Sequence, residues 1–430
     1  MNEHHRPVPG REGRWTRWSI VVLALALVLA LAACGKADDD EGSGGEGGVK
    51  TGPGVTADTI RIGILTDLSG PFAAGIRPQV RTMRLYWEEQ NKAGGVCERK
   101  VQVDVQDHGY DPQRAVSLYR SMEPDIAALM QLQGSPIIAA LLPTVERDSM
   151  FSGGMGWASV VLPTRVSNMP GASYSVATAN AVDFLVEEKG LSRGDAIGHL
   201  YFEGDYGEDA LSGAEFAAER HGLKIVKQQV TPADTDMSSQ AAAFRRAGVD
   251  ALLVSTAPGQ LASLVGVANS IGLDVPIVTN MPGWNPSLLR TTAADALRED
   301  VYSVNPVAPY ASDEPGARKA VELYESRYPK ALKDWAVPLG YAQALLMHRS
   351  LEAACERGDL SREGIVEAMR TLRDVDTEGL FPGTVSFDEV GEPPTRSVYL
   401  TQVDPDVPGG LKVLKTMESE SAKAYEFKEN

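Results

Sequence analysis

From Thr59 onward the chain alternates short β-branched runs with longer amphipathic stretches, and this alternation constrains the fold more than any other feature of the sequence. "TIRIGILT" reads as a strand. The segment after it puts Ile76, Val80, Met83 and Trp87 on one face of a helix, which "AGG" at 93–95 closes. "KVQVDVQ" is a second strand, and "DPQRAVSLYRSM" opens a helix with Asp111 as N-cap and Pro112 in the first helical position. "IAALMQLQ" and "GSPIIAALLPTVERD" repeat the pair. Strands that alternate with helices imply right-handed crossovers and a parallel sheet covered on both faces. The rhythm breaks at "LPTRVSNMPGASYSV", then restarts with strands in "DAIGHLYF", "LKIVKQQV", "VDALLVST" and "VPIVTN", separated by three helices. Two α/β sheets are expected, in keeping with 430 residues of which 43% are hydrophobic, enough for more than one core. Beyond them "DVYSVNPV", helices near 314–328, 335–357 and 361–372, and strand-like "GTVSFD", "TRSVYLTQV" and "LKVLKT" fall out of rhythm. Such a tail fits a chain that crosses back between two lobes better than a third domain.

Arg6, Arg11, Arg14 and Arg17 precede the apolar run from Trp18 to Ala33, whose 16 residues fall short of the ~20 that span a bilayer comfortably. The run ends in "LAAC" at 31–34 and resembles a bacterial lipoprotein signal with its lipobox. That resemblance implies a signal peptide over 1–33 and lipidation of Cys34; the alternative is an uncleaved anchor helix. On either reading the rest is exported and held at the outer face of the cytoplasmic membrane, at the cell surface or in the periplasm. Residues 34–56, rich in Gly and Asp, read as a flexible leash. With 41 basic against 58 acidic residues the net charge is −17, which argues against nucleic acid as a partner and against membrane contact beyond the anchor. Setting Cys34 aside, Cys97 and Cys355 are expected to form a disulfide in an oxidising compartment, two free buried thiols being the alternative.

Five stretches taken in order resemble the extracytoplasmic substrate-binding proteins of ABC transporters, of the branched-chain amino-acid-binding type: "IRIGILTDLSGPFAAG", "NKAGGV", "DHGYDPQRAV", "FEGDYGEDAL" and "GTVSFDEVGEP". The resemblance implies the type I periplasmic binding fold, an α/β architecture of two Rossmann-like lobes joined by three crossovers, here near 173–176, 301–304 and 382–386. Lobe 1 is then 57–173 with 304–382, and lobe 2 is 174–303 with 383–430. A disulfide between Cys97 and Cys355 would staple lobe 1 and leave the hinge free. The implied partners are a small-molecule ligand and the permease subunits of a transporter, with the protein itself a monomer.

Ligands of open α/β sheets sit beyond the carboxyl ends of strands. On lobe 1 this selects Ser69 and Phe72 in the first loop, expected to offer unpaired N–H groups to the ligand. It also selects Gln133, Gly134 and Ser135, then Gly154, Met155 and Gly156 in "SGGMGW" after the fourth strand. On lobe 2 it selects Asp205 and Tyr206, then Thr256, then Met281 and Trp284. Ser135 matches the family's carboxylate-binding position and Tyr206 its cleft tyrosine; the structural alternatives are an N-cap for Ser135, lobe packing for Tyr206 and a core aromatic for Trp284. Amino-acid-binding members carry an acid after a late lobe 2 strand to neutralise the ligand ammonium, whereas this chain reads "TNMPGW" there. A buried ammonium without a counter-charge is heavily penalised. Among the solutes the family takes, amino-acid-like or not, an organic acid, an amide or an aromatic compound is therefore expected in place of a standard α-amino acid.

No enzyme signature competes with this reading. The sequence contains neither a Walker A loop nor GxGxxG, GxSxG or HExxH, and its six histidines are not at metal-ligand spacing. No catalytic residue, cofactor or metal is expected. A ligand-sensing subunit that hands its closed state to a membrane receptor is the alternative binding role, and a secreted hydrolase is the weakest of the three.

Overall fold

The computed structural model describes residues 48–427. The signal segment, Cys34 and the leash up to residue 47 lie outside the described residues. Among the described residues no helix is long and apolar enough to cross a membrane. The leash read as reaching residue 56 ends in ordered structure, for Lys50 and Thr51 pair in parallel with Asp359 and Leu360.

The first sheet is built from β1 (Thr59–Thr66), β2 (Lys100–Asp107), β3 (Ala128–Gln133), β4 (Ser152–Met155) and β5 (Ser167–Asn168) in the order β2-β1-β3-β4-β5, all parallel. Ile60, Ile62 and Ile64 of β1 and all six residues of β3 are buried, as a sheet covered on both faces requires. Helices α1 (Ala73–Lys92), α2 (Pro112–Met122) and α3 (Ser135–Arg147) cross between its strands. The face of α1 that carries Ile76, Val80, Met83 and Trp87 is buried. At ~1.5–3 kcal/mol per side chain these four contribute on the order of 8 kcal/mol, an upper figure because the unfolded chain already buries some of that surface. Asp111 caps α2, its side chain accepting the N–H groups of Gln113 and Arg114.

The chain then passes to the second sheet through α4 (Tyr174–Lys189), capped by the Ser173 hydroxyl. That sheet holds β6 (Ala196–Phe202), β7 (Lys224–Val230), β8 (Ala251–Ser255), β9 (Ile277–Asn280) and β10 (Val301–Asn305) in parallel, with α5 (Asp205–His221), α6 (Ser238–Ala247) and α7 (Pro258–Ser270) as crossovers. After β10 the chain returns to the flank of the first sheet as α8 (Pro315–Arg327), α9 (Ala336–Glu356) and α10 (Arg362–Met369), α9 packing along α1. It re-enters the second sheet as antiparallel β11 (Val398–Val403) and β12 (Leu411–Met417), giving the order β12-β11-β10-β9-β8-β6-β7. Cys97, in the turn between α1 and β2, is bonded to Cys355 near the end of α9.

Three elements differ from the sequence reading. "SGGM" is not a loop after the fourth strand but the fourth strand itself; its glycines hide it from a pattern of β-branched residues, and at Gly153 a Cβ would lie 2.1 Å from the Met130 carbonyl oxygen. Helix α4 went unread because residues 174–185 are all buried, which removes the polar face that marks a surface helix. "GTVSFD" is reduced to a two-residue strand, Thr384–Val385, paired antiparallel with Val375–Asp376.

Candidate functional site

The carboxyl ends of the two sheets face one another across a cavity of about 240 Å³. From the first sheet it is lined by Phe72 and Gly75 at the head of α1, Tyr110 after β2, Gln133 to Ser135 at the β3–α3 junction, and Met155 and Trp157. The second sheet contributes Tyr174, Tyr206, Pro258, Trp284, Asn285 and Leu288, and Trp335 closes the wall from the start of α9. Among the described residues seven aromatics line it, and no Asp, Glu, Lys or Arg does.

The head of α3 is the polar end of this space. Gly134 precedes it at φ +100°, where a Cβ would run into the Tyr110 ring at 2.8 Å, so only glycine permits the turn. Its N–H donates to the Met155 carbonyl at 2.9 Å, which fixes the loop. Ser135 is 3% exposed and its Oγ makes no well-formed hydrogen bond, although the Tyr174 phenol lies within its reach; Gln133 Oε1 beside it is likewise buried and unpartnered. Buried polar atoms are nearly always paired, so two orphans lining one cavity mark where a ligand's polar group belongs. The first N–H groups of a helix add partial positive charge at the same point. The phenols of Tyr110 and Tyr174 share the cavity, and burial pushes both far above their ordinary titration range, leaving them neutral donors. His108 orients Tyr110, its Nδ1 accepting the Tyr110 N–H at 2.9 Å, and burial lowers the pKa of that imidazole.

The first loop departs from expectation. Its N–H groups are not offered to the cavity, because the buried carboxylate of Asp67 accepts from Ser69 (3.1 Å), Gly70 and Phe72 (3.0 Å). Asp107 Oδ1 accepts from Leu68 at 2.8 Å. The strand, turn and helix start thus form an anion cradle, and the anion is the protein's own. What the loop lends to the cavity is the Phe72 ring, packed 5.0 Å from Tyr110.

Of the residues selected from the sequence, Phe72, Gln133, Gly134, Ser135, Met155, Tyr206 and Trp284 come together on the cavity wall. Five others do not. Gly154 lies behind the wall, its carbonyl accepting from Gln343 Nε2 at 3.4 Å. Gly156 acts indirectly: a Cβ there would sit 2.9 Å from Ser135 Oγ and cover it. Asp205 points into an outer groove with Glu208 and Asp209, where burial raises its pKa. Thr256 is buried, its hydroxyl turned to the Ala257 carbonyl at 3.3 Å. Met281 is fully buried in the core beneath a short 3-10 turn, 281–283.

Tyr206 is held from behind. Its hydroxyl donates to Asn280 Oδ1 at 2.6 Å and lies 3.3 Å from the Thr256 carbonyl. Asn280 Nδ2 contacts Ser255 Oγ at 3.2 Å, and Ser255 meets His199 at 3.0 Å. Burial lowers the His199 pKa to about 3, so this relay is uncharged. The sequence reading missed Tyr110, Tyr174, Asn285 and Trp335. The strand-end rule that picked Ser135 also covers Tyr110, three residues beyond β2, whereas Tyr174 and Trp335 belong to elements out of rhythm.

The sequence pattern of the periplasmic binding protein family matches residues 59–410. The chain is 21% identical to the leucine-, isoleucine-, valine-, threonine- and alanine-binding protein of Pseudomonas aeruginosa, a match covering 79% of this chain and 88% of that one. Among solved structures it resembles a fatty acid ABC transporter substrate-binding protein from Thermomonospora curvata at 39% identity, with a TM-score of 0.87 over 89% of this chain and 98% of the other. A branched-chain amino acid ABC transporter structure from Thermus thermophilus with bound valine shares the fold at 16% identity and a TM-score of 0.76, over 86% of this chain and 98% of that one.

Proposed function

The chain belongs to the periplasmic binding protein family, with the type I fold, and from that premise we propose that it is the substrate-binding component of an ABC transporter for a small monocarboxylic acid with an apolar tail. The observation that carries this reading is the cavity wall itself: aromatic, free of charged side chains, with the unpartnered Ser135 Oγ at one end. A carboxylate at the head of α3 would take up the Ser135 hydroxyl, the helix-terminal N–H and the two phenols. The tail would lie against Ile76, Trp284, Leu288 and Trp335, each buried methylene adding ~0.8 kcal/mol. An α-amino acid would also bury an ammonium, and no carboxylate lines the cavity to meet it. The 39% identical relative, described as a fatty acid binder, supports the same class.

Function follows from closure. Ligand contacts shared by both lobes stabilise the closed form relative to the open one, and a permease reads that difference without any chemistry on the solute. Cys34 holds the protein to the membrane by its lipid. Calorimetric titration tests the specificity: octanoate or hexanoate is expected to bind with micromolar or tighter affinity, whereas leucine, isoleucine and valine should give no heat. Tight binding of any of the three amino acids overturns the reading.

A further inference from the structure

Two hydrogen bonds join the lobes at the rim of the cavity. Asn285, just beyond β9 of the second sheet, donates from Nδ2 to Asp334 Oδ2 at 2.7 Å. Asp334 precedes α9, which packs on α1 of the first sheet, and its Oδ1 accepts the Ala336 N–H at 2.9 Å. Beside this pair the Trp335 indole donates to the Trp284 carbonyl at 2.9 Å. Asp334 is 0% exposed although it is an acid, and Trp284, Asn285 and Trp335 all line the cavity. The Asn285 amide is held on its other side too, Oδ1 accepting the Ser287 N–H at 3.0 Å.

We propose that Asp334 and Asn285 form a latch across the cleft, Asp334 being a positioning residue whose carboxyl meets Asn285 only when the lobes have closed, so that the pair sets how firmly ligand is retained. The inference rests on the closure reading above and adds a proton to it. No cation lies against Asp334. Burial raises its pKa to about 7, with the Ala336 N–H and the Asn285 amide, both donors to the carboxyl, acting the other way. From α8 it faces Tyr324, whose buried hydroxyl has no partner and whose own neighbour is Arg81 of α1. Lys333, next in sequence, is turned to Glu325 at 3.0 Å.

On this proposal, opening the cleft returns Asp334 to water and moves its carboxyl back toward its ordinary 3.8. Closing therefore takes up a proton wherever the pH lies between the two values. The sign follows: closure is strongest below the open-state value, weakens by up to about tenfold per pH unit as pH rises toward the closed-state value, and is flat above it. Asp209, raised to about 6 by burial in the outer groove, titrates in the same window, so the assignment to Asp334 needs its own variant.

The test measures octanoate binding to the mature protein and to Asp334→Asn at about pH 5.5 and about pH 8, where the probe stays ionised. In the wild type the dissociation constant should rise roughly tenfold or more across that interval, and titration near pH 6 in buffers of different ionisation heat should register about one proton taken up. Asp334→Asn should bind with little pH dependence and no uptake. A wild-type constant that does not move, or an equal change in Asp334→Asn, overturns the latch. Asn285→Ala should release octanoate at least severalfold faster, and an unchanged release rate overturns it as well. If octanoate does not bind, the ligand reading has failed and the latch is read on ligand-free protein by X-ray scattering. The radius of gyration should then grow between the two pH values in the wild type but not in Asp334→Asn, and a constant wild-type radius overturns the proposal.

Discussion

At the residue scale the informative atoms are those without partners. Ser135 Oγ is buried beside the cavity and, among the described residues, makes no well-formed hydrogen bond, the Tyr174 phenol being within reach, so a substitution removes little hydrogen-bond stabilisation. Ser135→Ala should leave the melting temperature unchanged or slightly raised while weakening octanoate binding about tenfold, ~1.4 kcal/mol. A clear loss of melting temperature would mean that the hydroxyl serves as a structural cap. Tyr206 behaves differently. Its hydroxyl is tied to Asn280, and Tyr206→Phe leaves that buried amide oxygen short of a donor. A loss of about 1–3 kcal/mol in unfolding free energy is expected, read by urea denaturation; full stability would show that the Asn280 relay bears no load. Both residues were legible from the sequence as positions at strand ends. Their difference in environment was not, since it depends on Thr256 and Asn280 arriving at the Tyr206 hydroxyl from strand ends far along the chain.

At the element scale the reading succeeded wherever local pattern and tertiary burial agree. Strand β1 was visible as a bounded β-branched run, and helix α1 and the Asp111 cap because one side of each meets the core and the other meets water or a turn. Helix α4 was lost because residues 174–185 are buried on every side, which erases periodicity, and strand β4 because glycines stand in place of β-branched residues, Gly153 where a Cβ would meet the Met130 carbonyl. The "TDLSGP" loop was legible as an anion cradle but not as one already filled, because Asp67 sits inside the very motif that suggested it. The disulfide belongs to this scale too. It ties the end of α9 to the turn after α1, two helices that pack together within one lobe. Replacing both cysteines by serine should cost about 2–5 kcal/mol, lowering the melting temperature by several degrees, with octanoate affinity kept within about twofold. A large loss of affinity instead would show that the bond reaches the hinge.

At the scale of the whole molecule, alternation of strand and helix dictated two sheets, and the out-of-rhythm tail dictated that the chain return between them; the family resemblance supplied the hinge. The ligand class is the least local property of all. It arises where seven aromatic side chains from both sheets and α9 converge without a single charge among the lining residues, a negative feature that no short motif records. Met281 and Pro282 in place of an acid gave the one hint, and Asp334, which approaches from the opposite lobe and spends itself on Asn285, gave none. The most direct measurement is native mass spectrometry of the protein isolated from the envelope of its own cells, with the released small molecule then identified. A monocarboxylic acid without an amine, in one copy per chain, is the expected result; an α-amino acid or any other cation in that place would contradict the proposed specificity.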